Sequence, residues 1–217
     1  MNGMNTKESI AKAYDRAAKD YAAAMWNEFE RKHFDQIILR WFATQIPPDE
    51  TVLEIGCGPG EVSGFLYREG VRCLGTDIST QMVEAARMYF PDVQFETQDF
   101  FQLGYDDNTF CGVVGFYAIV NLVLEEVQAV LVEVKRVLKR EGLFLFSFHI
   151  DEGEEKVDVE NFFKQEGNVL TFYYFKVDDV KALVESVGYQ VVDILIRYPY
   201  TDVEYPSKRA YFVVRKA

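Results

Sequence analysis

Glycines 56, 58 and 60 fall on alternate positions at the end of the apolar run Thr51-Val52-Leu53-Glu54-Ile55, just where a helix begins. A turn so rich in glycine accepts a tight strand-to-helix reversal and lets the backbone approach a ligand, since no Cβ stands in the way. A dinucleotide fingerprint would space its glycines G-x-G-x-x-G. Here the third arrives one residue early and Glu61 stands where the pattern wants glycine, which argues against a pyrophosphate cradle. Glu54 is expected to project from the strand end toward the turn, where a carboxylate repels phosphate and suits a cationic ligand.

Asp77 closes the next strand-like run, Val71 to Thr76. A carboxylate only accepts hydrogen bonds and can take two donors, as a vicinal diol offers; capping the helix from Ser79 is the plainer role. His149 ends another apolar run, Leu143 to His149, ahead of a polar loop. With an ordinary pKa near neutrality it is a candidate base for a hydroxyl or amine nucleophile; its plainer role is to cap backbone at a strand end. His33 carries no such placement. Cys57, Cys73 and Cys111 lack the spacing of metal ligands, so reduced thiols and no metal site are expected, with Cys57 packed as a small buried side chain.

Taken together, Glu54 to Gly60, then Gly75-Thr76-Asp77-Ile78-Ser79 and Met82, resemble the class I S-adenosylmethionine-dependent methyltransferases. Gln98-Asp99-Phe100 is similar to that family's adenine-side acidic motif, and Glu133 to Gly142 to its helix and turn before the fifth strand. Looser likenesses are Tyr14-Asp15 leading to Tyr21, and Glu28-Phe29 leading to Lys32-His33-Phe34-Asp35. The resemblance implies S-adenosyl-L-methionine as cofactor. It implies that the Gly56, Cys57 and Gly58 backbone and Glu54 surround the methionine part, that Asp77 accepts from both ribose hydroxyls, and that Ile78, Met82, Asp99 and Phe100 surround the adenine side. Phe116 would face the methionine end, Tyr117 would line the methyl-transfer channel, and Tyr21 would reach the cofactor carboxylate. The stretch Phe116-Tyr117-Ala118-Ile119-Val120-Asn121 departs from the polar or histidine motif common there, leaving His149 and Tyr117 as the catalytic candidates. A non-catalytic cofactor-binding module on the same fold is the main rival. An NAD-dependent oxidoreductase is disfavoured by the glycine spacing, Glu54 and Asp77-Ile78-Ser79.

The elements that must position these residues alternate. Helical patterns cover Thr6 to Ala24 and Arg31 to Ala43; strands and helices then follow in turn: Thr51–Ile55, Glu61–Arg68, Val71–Thr76, Ser79–Tyr89, Val93–Glu96, Phe110–Tyr117, Leu124–Lys139, Leu143–His149. Such alternation implies parallel strands with helices on both faces. After an acidic connection, Asp151 to Glu155, come a strand Val169–Phe175, a helix Val177–Val187 and two strands, Gln190–Arg197 and Ala210–Arg215. Gly70, Gly142 and Gly188 are expected as left-handed helix caps. The expected fold is α/β: a Rossmann-like, seven-stranded, mostly parallel sheet with helices on both faces and, as the resemblance implies, an antiparallel last strand. One domain, 1–217, is expected, with an N-terminal helical cap (1–46), a cofactor core (51–150) and a substrate-side part (151–217).

A formal net charge of -12 over 217 residues repels nucleic acid, and no apolar run reaches membrane-spanning length. No apolar leader is seen in Met1 to Lys12, so a cytoplasmic monomer or homodimer is expected. A small molecule, aromatic or carboxylated, is the expected acceptor. Phe172 to Phe175 and Tyr198 to Pro206 could wall its pocket, and Arg197, Lys208 and Arg209 could meet an anionic group.

Overall fold

The computed structural model describes residues 5–25 and 28–217, so the first four residues of the Met1–Lys12 stretch lie outside the described residues. Helices α1 (Lys7–Met25) and α2 (His33–Thr44) precede the sheet. Then follow β1 (Thr51–Ile55), α3 (Glu61–Arg68), β2 (Arg72–Asp77), α4 (Thr80–Tyr89), β3 (Gln94–Thr97), β4 (Phe110–Phe116), α5 (Leu124–Val137) and β5 (Leu138–His149). The chain continues through β6 (Lys156–Val159), β7 (Leu170–Tyr173), α6 (Val177–Ser186), β8 (Tyr189–Arg197) and β9 (Arg209–Lys216).

Seven strands form one sheet in the order β3-β2-β1-β4-β5-β9-β8. The pairs from β3 to β5 are parallel, while β9 runs antiparallel to both β5 and β8. Side chains alternate across such a sheet. In β4 and β5, Val113, Phe144 and Phe146 join a core with α1, α5 and α6; their neighbours Val114, Leu143 and Leu145 join a second core with α2 and α3. Both faces are therefore covered, which is why the central strands read as continuous apolar runs.

Gly70 and Gly188 take left-handed conformations at φ 85° just past α3 and α6, as a helix C-terminus favours. Gly142 does not. Helix α5 passes straight into β5 at Leu138, which pairs with Phe110, and the left-handed residue there is Glu141 at φ 64°. Gly142 is needed for a close approach instead: a Cβ would stand 2.8 Å from the carbonyl oxygens of Cys111 and Lys139.

The region after His149 holds a second sheet that the sequence patterns do not reveal, an antiparallel ribbon of β6 and β7. Lys156-Val157-Asp158-Val159 is short and half charged, so it carries little strand signature of its own; Thr171 Oγ1 donates to Asp158 at 2.6 Å across the pair. The ribbon is tied to the N-terminal region: Asn5 Nδ2 donates to the carbonyls of Asn121 and Thr171, and Asn168 Nδ2 to that of Ala13.

Candidate active site

In this strand order the chain moves outward from β1 to β3 and then returns to the other side of β1 as β4. Open α/β sheets bind ligands at such a switch point, beyond the carboxyl ends of the strands. A cleft of about 480 Å³ lies there, running from the ends of β1, β2 and β4 to His149 at the end of β5 and roofed by α1, the segment that leads into α2, and the β6–β7 ribbon.

Its first half is built on the glycine turn. Gly56, Gly58 and Gly60 all have positive φ, 62°, 51° and 92°. A Cβ on Gly56 would come within 2.8 Å of Ala118 Cβ, so this residue lets the β1 and β4 loops touch. Asp77 ties the turn to the next helix: Gly58 N donates to Oδ2 at 2.9 Å and Ser79 N to Oδ1 at 2.8 Å. Each carboxylate oxygen keeps a further lone pair. Capping of α4 falls to Ser79, whose Oγ accepts from Met82 N and donates to Asp15 of α1. Ile78, Met82, Asp99 and Phe100 line the wall beyond, with Asp99 paired to Lys7 at 2.9 Å. Burial, outweighing its backbone donors, raises the Asp77 pKa to about 6.

Two residues expected here do not face the cleft. Glu54 shares its face of β1 with Val52, which packs in the core with α3, so its carboxylate is buried beneath that helix and accepts from Ser63 Oγ. Desolvation there raises its pKa to about 8. Cys57 turns its thiol into a small core with Val83, Ala86, Val93 and Phe95, leaving only its backbone in the turn.

The second half is aromatic. Tyr21 packs on Phe163 at 4.7 Å, and Tyr14 donates to Asn121 Oδ1 at 2.8 Å. Phe116 ends β4 and Tyr117 follows it, holding a left-handed φ of 56°, unusual for a large side chain and fixed by its N–H donating to Ser147 O. Its ring stacks on His149 at 5.2 Å and 25°. His149 Nδ1 is hydrogen-bonded to Ser207 Oγ at 2.7 Å. The near-neutral pKa expected of His149 is not what its surroundings produce: burial, then the Arg209 and Lys32 cations, lower it to about 3.

Lys32 and Arg209 reach this end from the N-cap of α2 and from β9, with Lys32 Nζ 5.2 Å from the Tyr117 ring centroid and the Arg209 guanidinium 6.0 Å. Glu204 lies behind them, 3.4 Å from Lys32 and 3.2 Å from Arg209, and Glu28 pairs with Lys32 from the cleft side. Arg197, expected to meet an anion, instead binds Glu204 and Asp35 in the interior, and Lys208 pairs with Glu152 at the surface. Tyr205 falls in the expected pocket wall Tyr198 to Pro206, whereas nothing local in the sequence marks Lys32, Phe162 or Phe163 as cleft residues.

Residues 52–142 match the family model described as a methyltransferase domain. A putative methyltransferase of Geobacillus sp. (strain WCH70) is 30% identical over 150 residues, 66% of this chain and 58% of that protein. Residues 52–142 thus carry the likeness to a methyltransferase domain, and the chain is similar to S-adenosylmethionine-dependent methyltransferases beyond that stretch. It spans about half the length of the curated methyltransferase relatives it matches. Two solved methyltransferases share the fold. One, from Methanosarcina mazei, superposes with a TM-score of 0.72 at 16% identity, covering 80% of this chain and 95% of that one. The other, magnesium protoporphyrin IX methyltransferase from Synechocystis PCC 6803, gives 0.72 at 18% identity with both chains fully covered. Among the described residues no cluster of three metal-ligating side chains occurs, and no helix is long and apolar enough to cross a membrane.

Proposed function

We propose that this chain transfers a methyl group from S-adenosylmethionine to a small-molecule acceptor bound at the aromatic end of the cleft. The observation that carries the reading is continuity: the glycine turn and Asp77 open directly onto the wall of Tyr117, His149, Tyr174 and Tyr205. The residues present fit the cofactor. The Gly56 to Gly60 backbone leaves the room a bulky ligand needs, and Asp77 has lone pairs for both ribose hydroxyls. Ile78, Met82 and Phe100 offer an apolar slot for a base, with Asp99 as acceptor for an exocyclic amine. Of the residues lining the cleft, Tyr21 and Phe116 flank the methionine end of this arrangement.

The cofactor supplies an electrophilic methyl on a good neutral leaving group. What remains for the protein is alignment and the exclusion of water. Tyr117, wedged by its strained backbone between His149 and the Phe116 loop, forms the floor on which an acceptor is aligned. Phe162, Phe163 and the β6–β7 ribbon exclude water from above. His149, with its depressed pKa, is neutral at physiological pH and positions an acceptor by hydrogen bonding; storing a proton there is costly.

Isothermal calorimetry with S-adenosylhomocysteine and with NADH tests the cofactor assignment, and methyl transfer from labelled S-adenosylmethionine to a small-molecule panel tests the activity. Binding of the homocysteine product without NADH binding is the expected result. Tight NADH binding with no response to S-adenosylhomocysteine overturns the reading.

A further inference from the structure

The polar groups at the far end of the cleft are not evenly distributed. Asp77 and Asp99 border the half reached by the glycine turn, and Lys7 answers Asp99. At the other end, beyond Tyr117, Lys32 and Arg209 border the cleft, with Glu28 paired to Lys32 from the cleft side. Among the described residues Arg209 has no such carboxylate on the cleft side: the others nearby, Glu204 and Asp35, lie behind, with side chains 1% exposed, and are already engaged by Arg197. Backbone carbonyls of Ser207 and Tyr205 hold the Arg209 guanidinium in place. The imbalance is felt at His149, where Arg209 and Lys32 oppose a positive charge more strongly than Glu204 favours it. Around these cations the walls are rings: Tyr117, Tyr174, Tyr205, Phe162 and Phe172.

We propose that the acceptor is an apolar, ring-bearing acid whose nucleophile is an already ionised oxygen, a carboxylate or a phenolate, held between Lys32, Arg209 and His149. This rests on the methyltransferase reading and names its substrate class. An ionised oxygen suits the site on three counts. The two cations stabilise it where water is excluded. Neutral His149 can donate a hydrogen bond to it. No base is needed: an oxygen lone pair forms the new O–CH3 bond, the S–CH3 electrons return to sulfur, the opposite charges cancel, and no proton moves. A site in which the histidine resists protonation is then an asset, whereas for an ammonium or alcohol it would be a defect.

The test is calorimetric titration of the full chain saturated with S-adenosylhomocysteine, using four probes on one ring system: 2-naphthoate, 2-naphthol above and below its ionisation, 2-naphthalenemethanol, and 2-naphthylmethylammonium. The expected result is that naphthoate or naphtholate binds about tenfold or more tighter than the neutral and cationic probes, the scale of one charge-assisted hydrogen bond. Which of the two anions leads distinguishes a carboxylate acceptor from a phenolate. In Lys32→Gln the preference should shrink to about threefold or less, and Lys32→Arg should restore it. Equal binding of all probes, binding of none, or a preference for the ammonium overturns the inference, and these outcomes are read on the wild-type protein even where a variant fails to fold. A Lys32→Gln variant that loses S-adenosylhomocysteine affinity while keeping the probe preference also overturns it, assigning Lys32 to the cofactor carboxylate. Failure of S-adenosylhomocysteine itself to bind is a different result and refutes the methyltransferase reading instead.

Discussion

Asp77→Ala should separate the two roles that this side chain has in the fold. Its oxygens accept from Gly58 N at 2.9 Å and Ser79 N at 2.8 Å, and it is 9% exposed, so the carboxylate is held in one orientation at the mouth of the glycine turn. A ribose diol would donate to the lone pairs that remain. Hydrogen bonds to a charged acceptor are worth about 1.5–3 kcal/mol, so S-adenosylhomocysteine should bind about 10- to 150-fold more weakly. Asp77→Asn should not rescue it, because an amide NH2 must then oppose either the Gly58 or the Ser79 N–H. The pKa of about 6 supplies a second signature. If the ionised form binds, wild-type affinity should fall about tenfold from pH 7 to pH 5, and the alanine variant should lose that part of the slope. Stability runs the other way: the folded pKa lies above the ordinary 3.8, so the Asp77 contribution is full below 3.8 and lost as pH rises through about 6. Calorimetry beside thermal melts at pH 5 and 7 decides the matter. A folded alanine variant that binds S-adenosylhomocysteine within twofold of wild type refutes the ribose role and leaves Asp77 as a tie between the glycine turn and α4.

Glu54→Gln should become progressively favourable with pH, since the buried carboxyl has its pKa raised from 4.5 to about 8 and the wild type loses stability as pH rises across that window. Urea unfolding at pH 5 and pH 9 measures this, and an unchanged wild-type-to-variant difference would show that Glu54 is not burdened by its burial. Gly56→Ala should cost affinity as well as stability, because the residue sits at φ 62° with a Cβ position 2.8 Å from Ala118 Cβ. Strain of this kind costs on the order of 1–3 kcal/mol, and pushing the Ala118 loop away should weaken S-adenosylhomocysteine binding about tenfold or more. An alanine variant with wild-type melting temperature and affinity would mean that the turn relaxes without disturbing the cleft.

What could be read from the sequence alone was what is encoded locally. The turn at 56, 58 and 60 demands glycine dihedrals, strands and helices announce themselves by period, and Asp77, Asp99 and His149 fall at strand ends by simple counting. Those features put Gly56, Gly58, Asp77 and Asp99 on one wall of the cleft; Glu54 was read by its proximity to the turn, whereas its alternation with Leu53 and Ile55 puts it under α3. The other half is decided by packing between distant segments. Lys32, Tyr117, His149, Tyr174 and Arg209 converge from the N-cap of α2, the turn after β4, the end of β5, the segment after β7, and β9, and no spacing along the chain encodes that meeting. Nor could the protonation of His149 be read from its residue type, whose ordinary pKa lies near neutrality. Burial and two cations that arrive from opposite ends of the chain move it to about 3, so the readiness of His149 to take a proton is set by the tertiary fold and not by its residue type.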